Sequence, residues 1–132
     1  MTFHTAVPRP FRSALVALSC WGLALSAWGG PSNPARAETE SLLQVLQDSG
    51  CQFNRNGSWY SGAEARAHLL KKLGYLEDKG MLKSTEDFIN LGASTSSSSG
   101  KAYLVKCAES PAVESKVWLH TQLTTLRKSQ KK

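Results

Sequence analysis

The chain has 132 residues, 41% of them hydrophobic and 20% charged, and its net charge is +6 at pH 7. This length suffices for one domain with one modest core and excludes a second domain of similar size. A basic chain raises the question of nucleic-acid binding, but no basic residues are interleaved with aromatic ones along a face, so no nucleic-acid partner is predicted.

The first 37 residues have the order of a cleavable signal peptide. Two arginines and no acidic residue accompany an apolar run over residues 14–27, and the polar stretch after it ends in the small residues Ala35 and Ala37. Signal peptidase requires small side chains at the first and third positions before the cut, so cleavage is predicted after Ala37, with a cut after Ala27 as the alternative. The apolar run has about 14 residues, whereas a membrane-spanning helix needs about 20, so no stable membrane anchor is predicted.

Removal of residues 1–37 would change both the charge and the cysteine content. The net charge falls from +6 to +3, because this segment contains three arginines and no acidic residue. Cys20 is also removed, which leaves Cys51 and Cys107 as a pair in an oxidising compartment. Such a pair usually forms a structural disulfide, with two buried free thiols as the alternative.

Residues 38–129 are predicted to form a single small domain, which begins with a helix and a hairpin. The first helix is expected to be capped by Thr39 or Ser41 and to end at Gly50. Alternating residues then flank Asn56 and Gly57, a pair that favours a two-residue turn with both residues at positive φ. This segment is therefore predicted to be a β-hairpin.

Two more helices are predicted after the hairpin. Ser61 and Glu64 fit a capping box, in which each side chain bonds the backbone N–H of the other, at the start of the longest helix. That helix should end near Gly80. A shorter helix around Phe88 should end at Gly92.

The last part of the domain is predicted to be a loop, a strand and a helix. Residues 94–100 are almost all Ser and Thr and should form a surface loop, whereas residues 102–107 are rich in β-formers, with alternate side chains facing the core. A final helix should begin near Glu114 or Ser115 and carry Trp118 on its apolar side. Four basic residues lie among the last six, from Arg127 to Lys132, and are expected to form a solvated or frayed helix end, with residues 130–132 as a basic tail. A tether to anionic lipid or another acidic partner is the alternative.

These elements predict an α+β fold in which about four helices pack on a small antiparallel sheet. Cys51 and Cys107 each lie on a predicted strand, on the side that faces the core. We therefore expect the two strands to lie close together and the domain to be stapled by one disulfide. A bond of this kind is a large share of the stability of so small a domain.

Several short motifs, in order along the chain, resemble the YfeK-like family of small proteobacterial periplasmic proteins, a domain of unknown function. They are Gly50-Cys51-Gln52-Phe53, the run from Glu64 to Leu69, Ser96 to Tyr103, Val105-Lys106-Cys107 and Trp118-Leu119. The resemblance implies a periplasmic location and this fold, and it implies no particular activity, substrate or cofactor.

Six residues form a candidate binding surface. His68 and Lys72 are four residues apart on one helix and therefore project from the same side. Trp59 and Tyr60, after the hairpin turn, could form an aromatic contact surface or pack in the core, and the Ser-rich loop offers hydroxyl groups. The surface comprises Trp59, Tyr60, His68, Lys72, Ser97 and Ser99.

No complete catalytic constellation is present, which favours a non-enzymatic binding or interaction module of the bacterial envelope, with an unknown protein or ligand as its partner. The alternative is a small hydrolase-like enzyme in which His68 activates a serine of the Ser94 to Ser99 loop. No metal or cofactor is predicted, because the only other histidine beyond residue 37, His120, lies on a different helix.

Overall fold

A computed structural model describes residues 33–132, so the predicted apolar run, Ala27 and Cys20 lie outside the described residues. The described part contains four α-helices and four short strands. In chain order they are α1 (Pro34–Asp48), β1 (Gln52–Arg55), β2 (Ser58–Tyr60), α2 (Gly62–Asp78), α3 (Thr85–Gly92), β3 (Leu104–Lys106), β4 (Val113–Glu114) and α4 (Ser115–Gln130). The predicted α+β class, with four helices on an antiparallel sheet, is confirmed.

The four strands form one antiparallel sheet in the order β2-β1-β3-β4. The hairpin that joins β1 to β2 turns at Asn56 and Gly57, whose φ angles are 51° and 87°, as the sequence predicts. In the centre of the sheet Phe53 lies opposite Val105. Strand β4 was not predicted, because two residues are too few to show an alternating pattern.

A disulfide joins Cys51 to Cys107, as predicted. Gln52 pairs with Lys106 across β1 and β3, so the two cysteines are the next opposing positions in the same register. Their Cα atoms are 4.3 Å apart. The bond therefore extends the pairing of the two central strands beyond their last hydrogen bonds.

The helices enclose the core on one side of the sheet. Helices α1 and α2 approach closely where α2 begins, because a Cβ atom on Gly62 would lie 2.7 Å from the backbone oxygen of Gln47 and 2.9 Å from that of Leu46. The largest fully buried apolar side chains are Phe88, Leu42, Leu43, Leu46, Leu73, Ile89, Leu119, Leu123 and Val105. No helix within residues 33–132 has the length and apolar character needed to cross a membrane.

Helix α1 begins earlier than the sequence predicted. Its N-cap is Asn33, whose side chain accepts a hydrogen bond from the N–H of Ala35 at 3.0 Å, and Pro34 is the first helical residue. An Asn cap followed by Pro is a favourable helix start. The predicted caps Thr39 and Ser41 lie inside the helix; that prediction was wrong because it started the helix after the expected cleavage point.

The end of helix α4 is less solvated than predicted. The helix runs to Gln130, the first residue of the predicted tail. Arg127, predicted to be solvated, instead bonds Glu38 of α1 at 2.7 Å and Glu86 of α3 at 2.5 Å. These bonds lower the pKa of both carboxyl groups. Arg127 therefore links three helices, through partners far away in sequence.

Candidate functional site

A cavity of about 350 Å³ opens between the β1–β2 hairpin, α2 and the residues that lead into β3. Its apolar floor includes Phe53 and Leu69, and its polar lining comprises Asn54, Arg55, Tyr60, Glu64, His68, Lys71, Tyr103 and Ser115. We call this cavity, together with Lys72 beside it, the basic pocket. Its volume lies within the range of about 300–1,000 Å³ that is usual for small-molecule sites.

Local periodicity places the functional side chains in the basic pocket. Arg55 follows Phe53 by two residues on β1, so both side chains extend from the same face of the sheet. His68 and Lys72 are one helical turn apart on α2. Both side chains also contact Tyr103, which is 35 positions from His68 and 31 from Lys72 and directly precedes β3.

The hydrogen bonds of His68 fix its tautomer. One guanidinium nitrogen of Arg55 lies 2.5 Å from Nδ1 of His68. Because a guanidinium only donates, Nδ1 must be the acceptor, and the neutral ring carries its proton on Nε2. Nε2 lies 3.3 Å from the phenol oxygen of Tyr103 and donates to it.

The phenol oxygen of Tyr103 accepts a second hydrogen bond, from Nζ of Lys72 at 3.2 Å. Since both of these neighbours donate, the proton of the phenol is left for a third group. Among the hydrogen bonds of residues 33–132, none uses that proton. The side chain is only 7% exposed, and burial raises its pKa, so the phenol stays protonated and available as a donor.

The basic pocket has an excess of positive charge. The ion pairs within residues 33–132 all join Arg36 or Arg127 to glutamates, so none neutralises Arg55, Lys71 or Lys72. Burial, followed by the positive charges around it, lowers the pKa of His68, and burial together with Arg55 lowers that of Lys72.

Glu64 is the one carboxylate that lines the cavity, among the described residues. Its carboxylate accepts the backbone N–H of Ser61 at 2.8 Å, and the Ser61 hydroxyl accepts the N–H of Glu64 at 3.2 Å. The predicted capping box is thereby confirmed. Because Glu64 is held at the start of α2, it forms no ion pair with Arg55.

The structure brings together three of the six residues predicted as a binding surface. Tyr60 lines the cavity and lies under the guanidinium of Arg55, with 4.8 Å from the guanidinium carbon to the ring centre. His68 and Lys72 meet at the phenol oxygen of Tyr103. Trp59 is 42% exposed and, by strand alternation, faces away from the cavity.

The other two predicted residues, Ser97 and Ser99, are exposed in the loop between α3 and β3 and do not line the cavity. The hydroxyl of Ser99 donates to the side chain of Asn56, so the loop rests on the hairpin turn. Trp118, for which core packing was expected, packs edge-on against Phe53 at 5.7 Å.

The hydrogen bonds of His68 bear directly on the hydrolase alternative. A histidine that activates a serine bonds its hydroxyl, but here both ring nitrogens of His68 are engaged, by Arg55 and by Tyr103. The Ser-rich loop approaches the basic pocket through the carbonyl of Thr95, which accepts from Lys72 at 3.3 Å. No hydrogen bond between His68 and a serine is present in the described part of the chain.

Sequence reasoning missed Arg55 and Tyr103 as members of the site. Strand alternation could have indicated both. Arg55 is two residues after the core-facing Phe53, and Tyr103 is two residues before the core-facing Val105, so each side chain extends from the core side of the sheet. A cation at a core-facing position requires polar partners. In residues 33–132, no group of three or more potential ligand side chains is arranged to hold a metal ion.

Lowering the pH from about 7.5 to about 5.5 should destabilise the domain partly through His68. Its pKa in the folded protein lies below the ordinary value of 6.5, because of burial and of the charges on Arg55, Lys72 and Lys71. Below pH 6.5 the unfolded chain therefore binds more protons at this residue than the folded chain does. The free energy of unfolding should consequently fall with falling pH.

Urea denaturation at the two pH values measures this effect. His68→Gln should show a smaller loss of stability on acidification than the wild-type protein does. The matched control is His120→Gln on α4, which should retain the wild-type dependence. Equal losses in all three proteins would contradict the role assigned to His68.

A family model described as a family of unknown function, DUF5329, matches residues 33–127. The match begins at the N-cap of α1 and ends within α4, so it includes all four strands and the whole basic pocket. Neither a comparison with curated proteins nor one with solved structures found a match.

Proposed function

We propose that this chain, which belongs to the DUF5329 family of unknown function, is a non-enzymatic binding module that holds an anionic ligand in the basic pocket. We further propose that it acts in the periplasm as an exported protein. The predicted signal peptide, the cysteine pair and the resemblance to YfeK-like proteins support this location.

One observation carries the binding proposal: cations and donors converge on a cavity whose one lining carboxylate, Glu64, is held by the capping box and forms no ion pair with them. Arg55 and Lys71 line the cavity, Lys72 lies beside it, and the phenol proton of Tyr103 has no acceptor among the described residues. A phenol proton without a protein acceptor can donate to a ligand that enters the cavity.

The donor geometry indicates the chemical class of the ligand. Arg55 uses one N–H toward His68 and one toward Tyr60, at 2.5 and 3.4 Å, which leaves three of its five N–H groups. A guanidinium matches the paired oxygens of a carboxylate or a phosphate. The ligand is therefore a small molecule, or an end group of a larger one, that presents such an anion.

No specific observation favours the hydrolase alternative. The Arg55 bond holds Nδ1 of His68, and Nε2 carries a proton that it donates to Tyr103, so the ring has no free lone pair with which to accept a proton from a serine. In the binding module, the same neutral ring orients Arg55 and Tyr103.

The proposal predicts saturable binding of simple anions. In an NMR titration at constant ionic strength, with inorganic phosphate in one series and acetate in another, backbone signals of residues 53–60 and 64–72 should shift. Arg55→Gln should weaken the binding of the preferred anion by about tenfold or more, because a charge-assisted hydrogen bond contributes about 1.5–3 kcal/mol.

Lys128→Gln is the matched control, because it removes one positive charge from an exposed position on α4. It should leave the affinity nearly unchanged. An equal loss in Lys128→Gln and Arg55→Gln would show general charge attraction instead of a site. The absence of saturable shifts with both anions would overturn the proposal, and the series with the larger response identifies the ligand group.

A further inference from the structure

The small residues that predict signal peptidase cleavage lie within the first turn of α1. Ala35 belongs to the hydrophobic core and is 8% exposed, while Ala37 is exposed on the outer side of the helix. Asn33 caps the turn through its side chain, and its carbonyl accepts the N–H groups of Arg36 and Ala37 at 3.0 and 3.2 Å. The predicted cleavage point is thus inside a regular element of the fold.

This turn also contacts distant parts of the domain. The side-chain amide of Asn33 donates to the carbonyl of Leu82, in the segment before α3, at 3.3 Å. Arg36 forms an ion pair with Glu77 of α2 and a second with Glu40, one turn further along α1. The turn is therefore attached to α2 and to the segment before α3 as well as to its own helix.

A buried hydroxyl depends on the same turn. Thr39 is fully buried, and its hydroxyl donates to the carbonyl of Ala35 at 2.6 Å. A cut after Ala37 would remove that acceptor together with the cap and the pairs of Arg36. It would also place a new ammonium group on Glu38, whose carboxylate is bound to Arg127 and Thr85. The remaining helix would start without a capping side chain.

We infer that signal peptidase cuts before Asn33, so that residues 33–37 stay in the mature protein as the first turn of α1. The inference rests on the predicted export of the chain and is independent of the basic pocket. The family match, which also begins at residue 33, supports the same boundary. The alternative cut after Ala27, which has a small residue directly before it, is compatible with this boundary.

Intact-mass measurement of the exported protein tests the inference. The full-length chain is produced in a bacterial host and purified from the periplasm. We expect a mature N-terminus before Asn33, with Trp28 as the first residue if the cut follows Ala27. A mature protein that starts at Glu38, or one that keeps the whole leader, would overturn the inference.

Two substitutions provide an independent test. Leucine is too large for the position before the cut, and Ala37 is exposed on the helix, so Ala37→Leu should preserve the fold. If the cut lies before Asn33, Ala37→Leu is processed at the wild-type position; if it follows Ala27, Ala27→Leu in addition blocks or displaces processing. Loss of processing in Ala37→Leu, with normal processing in Ala27→Leu, would refute the inference.

Discussion

Replacing both Cys51 and Cys107 with alanine should lower the free energy of unfolding by about 4 kcal/mol. The disulfide joins residues that are 56 positions apart, and a closed loop of this length strongly restricts the unfolded chain. A domain of this size has a total stability of about 5–15 kcal/mol, so the loss is a large fraction of it. Urea denaturation of the wild-type protein and the double variant measures the difference.

The reduced wild-type protein is the matched control for the double variant. Both lack the same bond, so their unfolding midpoints should be close to each other and well below that of the oxidised protein. The single variants should also lose most of the stabilisation. If reduction leaves the midpoint unchanged, the disulfide does not stabilise the domain as expected.

Gly62→Ala should lower the free energy of unfolding by about 1–3 kcal/mol, because the added methyl group overpacks a helix crossing. A Cβ atom there would lie 2.7 Å from the backbone oxygen of Gln47 and 2.9 Å from that of Leu46. Backbone atoms cannot rotate away as a flexible side chain can, so α1 and α2 would have to separate. Thermal or urea denaturation of the variant measures the effect.

Gly74→Ala, in the same helix, is the matched control. No atom lies within 4 Å of a Cβ at this position, so the substitution should raise the helix stability by about 0.5–1 kcal/mol. The two glycine variants are therefore expected to change stability in opposite directions. Destabilisation by both, to the same extent, would mean that the close approach at Gly62 is not the cause.

The features that could be predicted from the sequence depend mainly on residues that are close to one another along the chain. The turn at Asn56 and Gly57 needs positive φ angles, which these residue types adopt readily. The capping box of Ser61 and Glu64 links residues three positions apart. The cysteine pair was predictable for another reason, since one disulfide between two cysteines has a single possible connectivity.

The features that were missed depend on tertiary contacts or on an assumption about processing. Arg127 was expected to be solvated because its partner Glu38 is 89 positions away. The start of α1 was placed too late because the chain was assumed to begin after Ala37. The contact of His68 with Tyr103, 35 positions apart, requires the register of β3 against β1, which a single strand pattern does not specify.

Every residue that lines the basic pocket, apart from Ser115, lies between the two cysteines. In covalent terms this part of the protein is a ring, and α1 and α4 are tails that leave it on either side. Fraying of a tail leaves the ring closed. A protease that nicks the exposed Ser-rich loop would produce one fragment with Arg55 and His68 and another with Tyr103, still held together by the sulfur–sulfur bond.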